Sequence, residues 1–185
     1  MIGSNFPAVL DLARHGDERA LEVLYRDLAP PVLGYLRAQR AAEPEDVASE
    51  VFISLVRGLG AFRGDERAFR SWVFTIAHHR LVDERRRLVR RAEEPATHRT
   101  LALVSSARGN GHVEEEALSN LDGATALDSL RRLTEDQRAV VLLRILMGLS
   151  VAEVARVLDK REGAVKTLQR RALARLGAVT LEPVS

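Results

Sequence analysis

The chain has 185 residues, of which 46% are hydrophobic but only 4% aromatic, with no cysteine and a formal net charge of +2. The missing cysteines exclude disulfides, thiolate metal sites and thiol catalysis. No apolar run reaches bilayer length and the N-terminal stretch lacks the blocks of an export signal, so a cytoplasmic protein with no membrane insertion is expected.

Abundant Leu, Ala, Val and Arg with almost no strand signal point to an all-α chain. "SNFPAVLDLARHGD" opens with Ser or Asn in a capping place and Pro7 in the first turn, and predicts a short helix ending near Gly16. In the next segment Leu21, Leu24, Tyr25 and Leu28, then Val32, Leu33, Tyr35 and Leu36, keep helical spacing on either side of Pro30 and Pro31. That pattern predicts a helix broken or kinked at the prolines. Pro44 and neighbouring acids start a third helix, striped by Val47, Val51, Phe52 and Leu55 and stopped by Gly58 and Gly60. After the loop "GLGAFRGDER" comes a longer helix with Phe69, Trp72, Val73, Ile76 and Ala77 on its apolar face and arginines in its later turns.

Composition then shifts to Ala, Ser, Gly, Asn and acids, which reads as a flexible acidic linker over 93–123. Periodicity resumes in a second unit. Thr134 and Gln137 match a capping box, and Val140, Val141, Leu143, Ile145 and Leu146 mark a buried helix. The expected architecture is therefore two small helical bundles, 1–92 and 124–185, joined by that linker.

Charge is uneven along the chain. From Arg70 to Arg91 seven arginines face only Asp83 and Glu84, and from Lys160 to Arg175 six basic residues face only Glu162. Between them, residues 93–128 carry seven acids against Arg99 and Arg108. Two basic segments thus flank an acidic connector, which solvated helix faces or nucleic-acid binding would both explain.

The second basic segment decides between them. Ser150 and Glu153 form another capping box, Val151, Val154, Ala155 and Leu158 make a buried face, and "DKREG" makes a tight turn. The following helix buries Val165, Leu168, Ala172 and Leu176 and leaves Lys166, Thr167, Gln169, Arg170 and Arg171 outside. This is the pattern of a helix-turn-helix, with Gln and Arg suited to base edges and Lys160 and Arg161 suited to phosphates.

On these residues the chain resembles the extracytoplasmic-function (ECF) sigma factors of the sigma-70 family. "LYRDLAPPVLGYLRAQ", "EPEDVASEVFISLVRGLGAFRG" and "FRSWVFTIAHHRLVDERRR" are similar to regions 2.1, 2.2 and 2.3 to 2.4, and "LRRLTEDQRAVVLLRILMGLSVAEVARVLDKREGAVKTLQRRALARL" to region 4. The resemblance implies a factor that binds core RNA polymerase through its clamp helices and flap, directs it to promoter DNA and is held by an anti-sigma factor. It implies no catalysis and no cofactor.

Carried over by position, Asp46, Val47, Glu50 and Phe52 match the clamp-docking pattern. The loop from Gly58 to Arg67, with Phe62 and Arg63, matches the segment that captures a flipped −10 base. The helix after it supplies Arg70, His78, His79, Arg80, Arg85, Arg86 and Arg87. Two departures matter: His78 and His79 stand where many relatives carry Arg and Asn, and Leu168–Gln169 where many show Arg then Leu. His79 and Asp83 lie four apart on a helix, but no third ligand accompanies them, so no metal is expected. A stand-alone helix-turn-helix repressor or activator is the alternative; no nucleotide loop or nucleophile motif supports an enzyme.

Overall fold

A computed structural model describes residues 2–93 and 129–179, and all regular structure among them is helical. The expected linker lies outside the described residues from residue 94 on.

Helix α1, Phe6–Arg14, follows directly on a 3-10 turn at Gly3–Asn5. Because that turn feeds straight into the helix, Asn5 has helical dihedrals and makes no capping bond with its side chain, contrary to expectation. Gly16, in the left-handed region at φ 82°, ends the segment. Helix α2, Glu18–Ala38, is capped by Asp17, whose carboxylate accepts from the Ala20 amide at 2.8 Å.

Of the two expectations at the prolines, a break or a kink, the break is absent, since α2 runs through Pro30 and Pro31 as one helix. Each proline removes a ladder bond. The core compensates: Leu24, Leu28, Val32, Tyr35 and Leu36, on both sides of the pair, are all buried in one cluster.

Helix α3, Pro44–Gly58, starts on Pro44 with Glu45 and Asp46 in its first turn. The two amides just before it are held from another helix: the buried carboxylate of Glu84 accepts from Glu43 at 3.0 Å and Ala42 at 3.3 Å. Helix α4, Glu66–Glu93, contributes Phe69, Val73, Phe74, Ala77 and Leu81 to the core.

The second half begins with the capping box of Thr134 and Gln137 on α5, Glu135–Val141. A π-helical turn, Leu142–Leu146, follows, with the Met147 amide bonded to Leu142 at 3.2 Å. The wider turn rotates the last two apolar residues off the buried stripe, so Ile145 and Leu146, expected inside, are 59% and 47% exposed. Helices α6, Val151–Val157, and α7, Glu162–Val179, complete the chain.

The two halves pack together through α4 and α6, and a single apolar cluster extends from Phe6 to Val165. A satellite of Leu133, Val141 and Ala172 seals α5 against α7.

Candidate nucleic-acid interface

The turn between α6 and α7 is built from local chemistry. Ser150 and Glu153 close a reciprocal capping box at the start of α6. At its other end Asp159 takes a left-handed conformation, φ 50°, which lets the Lys160 amide reach back to the Ala155 carbonyl at 2.9 Å. The chain reverses there and enters α7. Val165 and Ala172 are fully buried, and Leu168 and Leu176 are packed against the core.

On the opposite side, Arg161, Lys166, Arg170 and Arg171 are exposed and Thr167 and Gln169 half-buried. Thr167 donates its hydroxyl proton to the Gly163 carbonyl, 2.9 Å away. Lys160 is drawn 3.0 Å from Asp136 on α5. The helix therefore presents a row of long donors without any break in its packing, as a major-groove reader requires.

The first half gathers its expected residues less uniformly. Phe62 stacks on Trp72 with ring centres 5.1 Å apart and meets Phe69 edge-on, so it is part of an aromatic cluster. Arg63 is exposed and donates to the Gly60 and Phe62 carbonyls, each at 2.7 Å. Arg70 is held inward by Asp27 at 2.6 Å. Arg80 donates to the Ser54 hydroxyl at 2.8 Å, and Arg87 pairs with Glu50 at 3.1 Å. Arg86, with Arg90 and Arg91 beyond it, is exposed along the end of α4.

The adjacent histidines differ. His79 is exposed, whereas the Nδ1 of the half-buried His78 is 3.0 Å from the Tyr35 hydroxyl. Burial first, and then the neighbouring His79 and Arg85, push the His78 pKa down to about 4. Burial raises that of Tyr35, so a neutral imidazole accepts from a protonated phenol.

Of the docking residues, Asp46 is exposed and Glu50 half-buried one turn further along α3. Val47 is buried in the core. Phe52 packs against Tyr25, ring centres 4.7 Å apart, in a groove of about 300 Å³ lined also by Leu21 and Val56. Tyr25 is 53% exposed, although its spacing reads as core. Nothing local distinguishes it from Leu24; only the position of α3 does.

Sequence reading also misses the contacts between the halves. Arg67 binds both Glu153 oxygens at 3.0–3.2 Å, Arg85 binds Glu135 at 2.9 Å, and Arg138 reaches the Ala38 carbonyl at 3.3 Å. These partners are 50 to 100 residues apart, and no local pattern links them. Among the described residues no helix is long and apolar enough to cross a membrane.

A helix-turn-helix with an exposed basic reading helix, packed on a bundle that ends in an arginine-rich helix, defines a two-part DNA-binding protein. Residues 24–91 match the family Sigma-70 region 2 and residues 125–176 match Sigma-70, region 4. The chain is 36% identical to the ECF RNA polymerase sigma factor BldN of Streptomyces coelicolor, over 91% of its own length and 63% of that protein. It is 32% identical to the ECF RNA polymerase sigma factor ShbA of Streptomyces griseus, covering 93% of each. It is also 32% identical to the ECF RNA polymerase sigma factor SigD of Mycobacterium tuberculosis, over 95% of its length and 84% of that protein. The fold is that of RpoE from Bartonella quintana in complex with the anti-sigma factor NepR, with TM-score 0.65, 17% identity and coverage of 88% and 98%. It is likewise that of CnrH in complex with the cytosolic domain of CnrY, with TM-score 0.63, 22% identity and coverage of 96% and 97%. The chain belongs to the ECF sigma factors of the sigma-70 family, which direct RNA polymerase to promoters.

Proposed function

We propose that residues 1–92 dock on the clamp helices of core RNA polymerase and open the −10 element, while residues 124–185 contact the flap and bind the −35 element as duplex. The protein acts in the cytoplasm and catalyses nothing itself. On α7, Lys166, Gln169 and Arg170 read base edges, with Thr167 and Arg171 beside them, and Lys160 and Arg161 hold phosphates. In the first half the loop from Gly58 to Arg67 receives an unstacked base, and the arginines of α4 with His79 follow the strand. Arg85 and Arg87 are paired with partly exposed carboxylates, and such pairs are weak and exchange for phosphate, whereas Arg70 stays in a mostly buried pair with Asp27.

Asp46 and Glu50 form the acidic edge that meets the clamp. Ile53, exposed one turn further on, and the groove at Phe52 add apolar area to the same contact. An anti-sigma factor is a further partner; both structural relatives above were solved in complexes, one of them with an anti-sigma factor.

The observation that carries the reading is the exposed row of Lys166, Arg170 and Arg171 on a helix sealed behind by Val165 and Ala172, with Arg161 exposed in the turn before it, in a chain that also contains region 2. Reconstitution with core RNA polymerase on a promoter library tests it. Transcription from a defined pair of −10 and −35 sequences is expected. Tight duplex binding without polymerase, and no transcription with it, would establish the stand-alone repressor or activator instead.

A further inference from the structure

Helix α1 lies outside both family-matched segments, yet it is built into the loop between α3 and α4. From within, that loop is held by a few backbone bonds and by the exposed Arg63 side chain on the Gly60 and Phe62 carbonyls. The Ala61 amide bonds to Gly58 at 3.1 Å and the Phe62 amide is shared between Gly58 and Leu59 at 3.2 and 3.3 Å. The Leu59 and Phe62 carbonyls each accept one bond inside the loop, from the Phe62 amide and from the exposed Arg63, and each takes a second donor from outside it. That outside donor is the half-buried Arg14 at the end of α1, which donates through Nε to Leu59 at 3.4 Å and through a terminal nitrogen to Phe62.

Two more contacts brace the same unit. Phe6 on α1 packs against Phe69, ring centres 5.3 Å apart, and Phe69 and Trp72 together hold Phe62. The Ile2 and Gly3 amides donate to Glu66, at the first turn of α4, at 2.8 and 2.9 Å. The path is tight as well: a Cβ on Gly58 would lie 2.7 Å from the Trp72 ring. On the outer side, Gly60, Ala61, Arg63 and Gly64 are exposed.

We propose that Arg14 is a positioning residue for −10 base capture, its guanidinium fixing the Leu59 and Phe62 carbonyls so that the outer edge of the loop is pre-set for an unstacked base. This rests on the reading of that loop as the −10 pocket. The physical reason is pre-organisation. A loop that orders itself only on binding spends part of its contact energy on ordering, whatever the base, and a displaced contact discriminates poorly. Arginine suits the task because one rigid fork reaches two carbonyls at once.

The test uses holoenzyme reconstituted with Arg14→Met, which keeps the apolar stem and removes every donor. Open-complex formation is measured on two promoters differing at one non-template −10 base, and the rate ratio is the readout. Poor folding lowers both rates alike and leaves the ratio unmoved, so a purely structural role would not change it. Discrimination of about tenfold in the parent is expected to fall to about twofold, with −35 duplex affinity unchanged. Arg14→Gln, which retains a single donor group, should lie between. Full discrimination in both variants overturns the proposal. Arg63→Glu separates the two levels: if it alone abolishes discrimination, only the role of Arg14 falls, and if it too has no effect, the loop is not the −10 reader.

Discussion

Arg67, at the start of α4, spans both carboxylate oxygens of Glu153, the residue that completes the capping box of the helix-turn-helix. One carboxylate thereby serves two structures: it accepts the Ser150 amide at 2.6 Å and joins the second half of the chain to the first. The Arg67 side chain is 61% exposed and that of Glu153 only 9%, so the pair is sealed on one side and open to salt on the other.

Glu153→Gln is expected to preserve the cap, because a glutamine oxygen still accepts from Ser150, while removing the charge that holds Arg67. The chain has no cysteine, so single cysteines at exposed Arg57 and Arg170 can carry a distance-reporting dye pair. The variant should show a longer mean separation at low salt than the parent, and added salt should narrow the difference. Burial pushes the Glu153 pKa up, but the bonds from Arg67 and Ser150 outweigh it and hold it at about 2, below the ordinary 4.5. Its contribution is therefore complete above pH 4.5 and is lost as pH falls toward 2. Equal separations in parent and variant at all salt concentrations would leave the pair without a role in closing the molecule.

On α7 the expected effects divide by type of contact. Gln169→Ala or Arg170→Ala should each remove about 1 to 3 kcal/mol of preference for the correct −35 base, while Arg161→Ala should weaken all duplexes alike. Binding titrations against a set of single-base variants separate the two outcomes. If Arg161→Ala changes preference and Gln169→Ala does not, the helix lies in the groove in the opposite sense.

The acidic edge of α3 gives a sharper result. Asp46 is exposed and the Glu50–Arg87 pair is partly open to solvent, so Asp46→Arg with Glu50→Arg should leave the protein folded with a modestly lower unfolding temperature. Assembly with core polymerase should be lost, because two charges facing a basic clamp are reversed. Gel filtration of the mixture reads this directly. Normal assembly by the folded double variant would remove these acids from the docking surface.

Features decided within a few residues were legible in the sequence. Both capping boxes, the buried Val165 and Ala172 and the exposed row beside them follow from local hydrogen bonding and helical period. Features decided by another part of the chain were not. Pro30 and Pro31 remain helical because the core grips both flanks, and Tyr25 is exposed beside a groove that α3 completes; Ile145 and Leu146 turn outward through a π-turn that is local but leaves no mark in the apolar period. The same holds for the site: α7 carries its face in its own sequence, whereas Arg70, Arg80 and Arg87 are arginines of one basic run whose different partners depend on α2 and α3.

The His78–Tyr35 bond makes a pH prediction with a definite sign. The Tyr35 ring is fully buried, and the imidazole that accepts from it is also faced by His79 and Arg85 on its own helix and by Asp136 and Lys160 from the second half. His78 is neutral in the folded protein down to about pH 4, whereas an unfolded histidine takes up a proton near 6.5. The unfolded chain thus binds the extra proton between those values, so stability is complete above about pH 6.5 and falls as pH drops toward 4. The slope due to this one residue cannot exceed about 1.4 kcal/mol per pH unit. Urea unfolding from pH 7 to pH 4 should show the decline in the parent and a shallower one in His78→Gln, whose amide does not titrate. Tyr35→Phe should cost about 1 kcal/mol at pH 7, as the buried imidazole nitrogen loses its donor, with less of a penalty at low pH, where a protonated His78 would no longer accept. Parallel stability curves for the parent and His78→Gln across the whole range would show that this histidine does not titrate with folding.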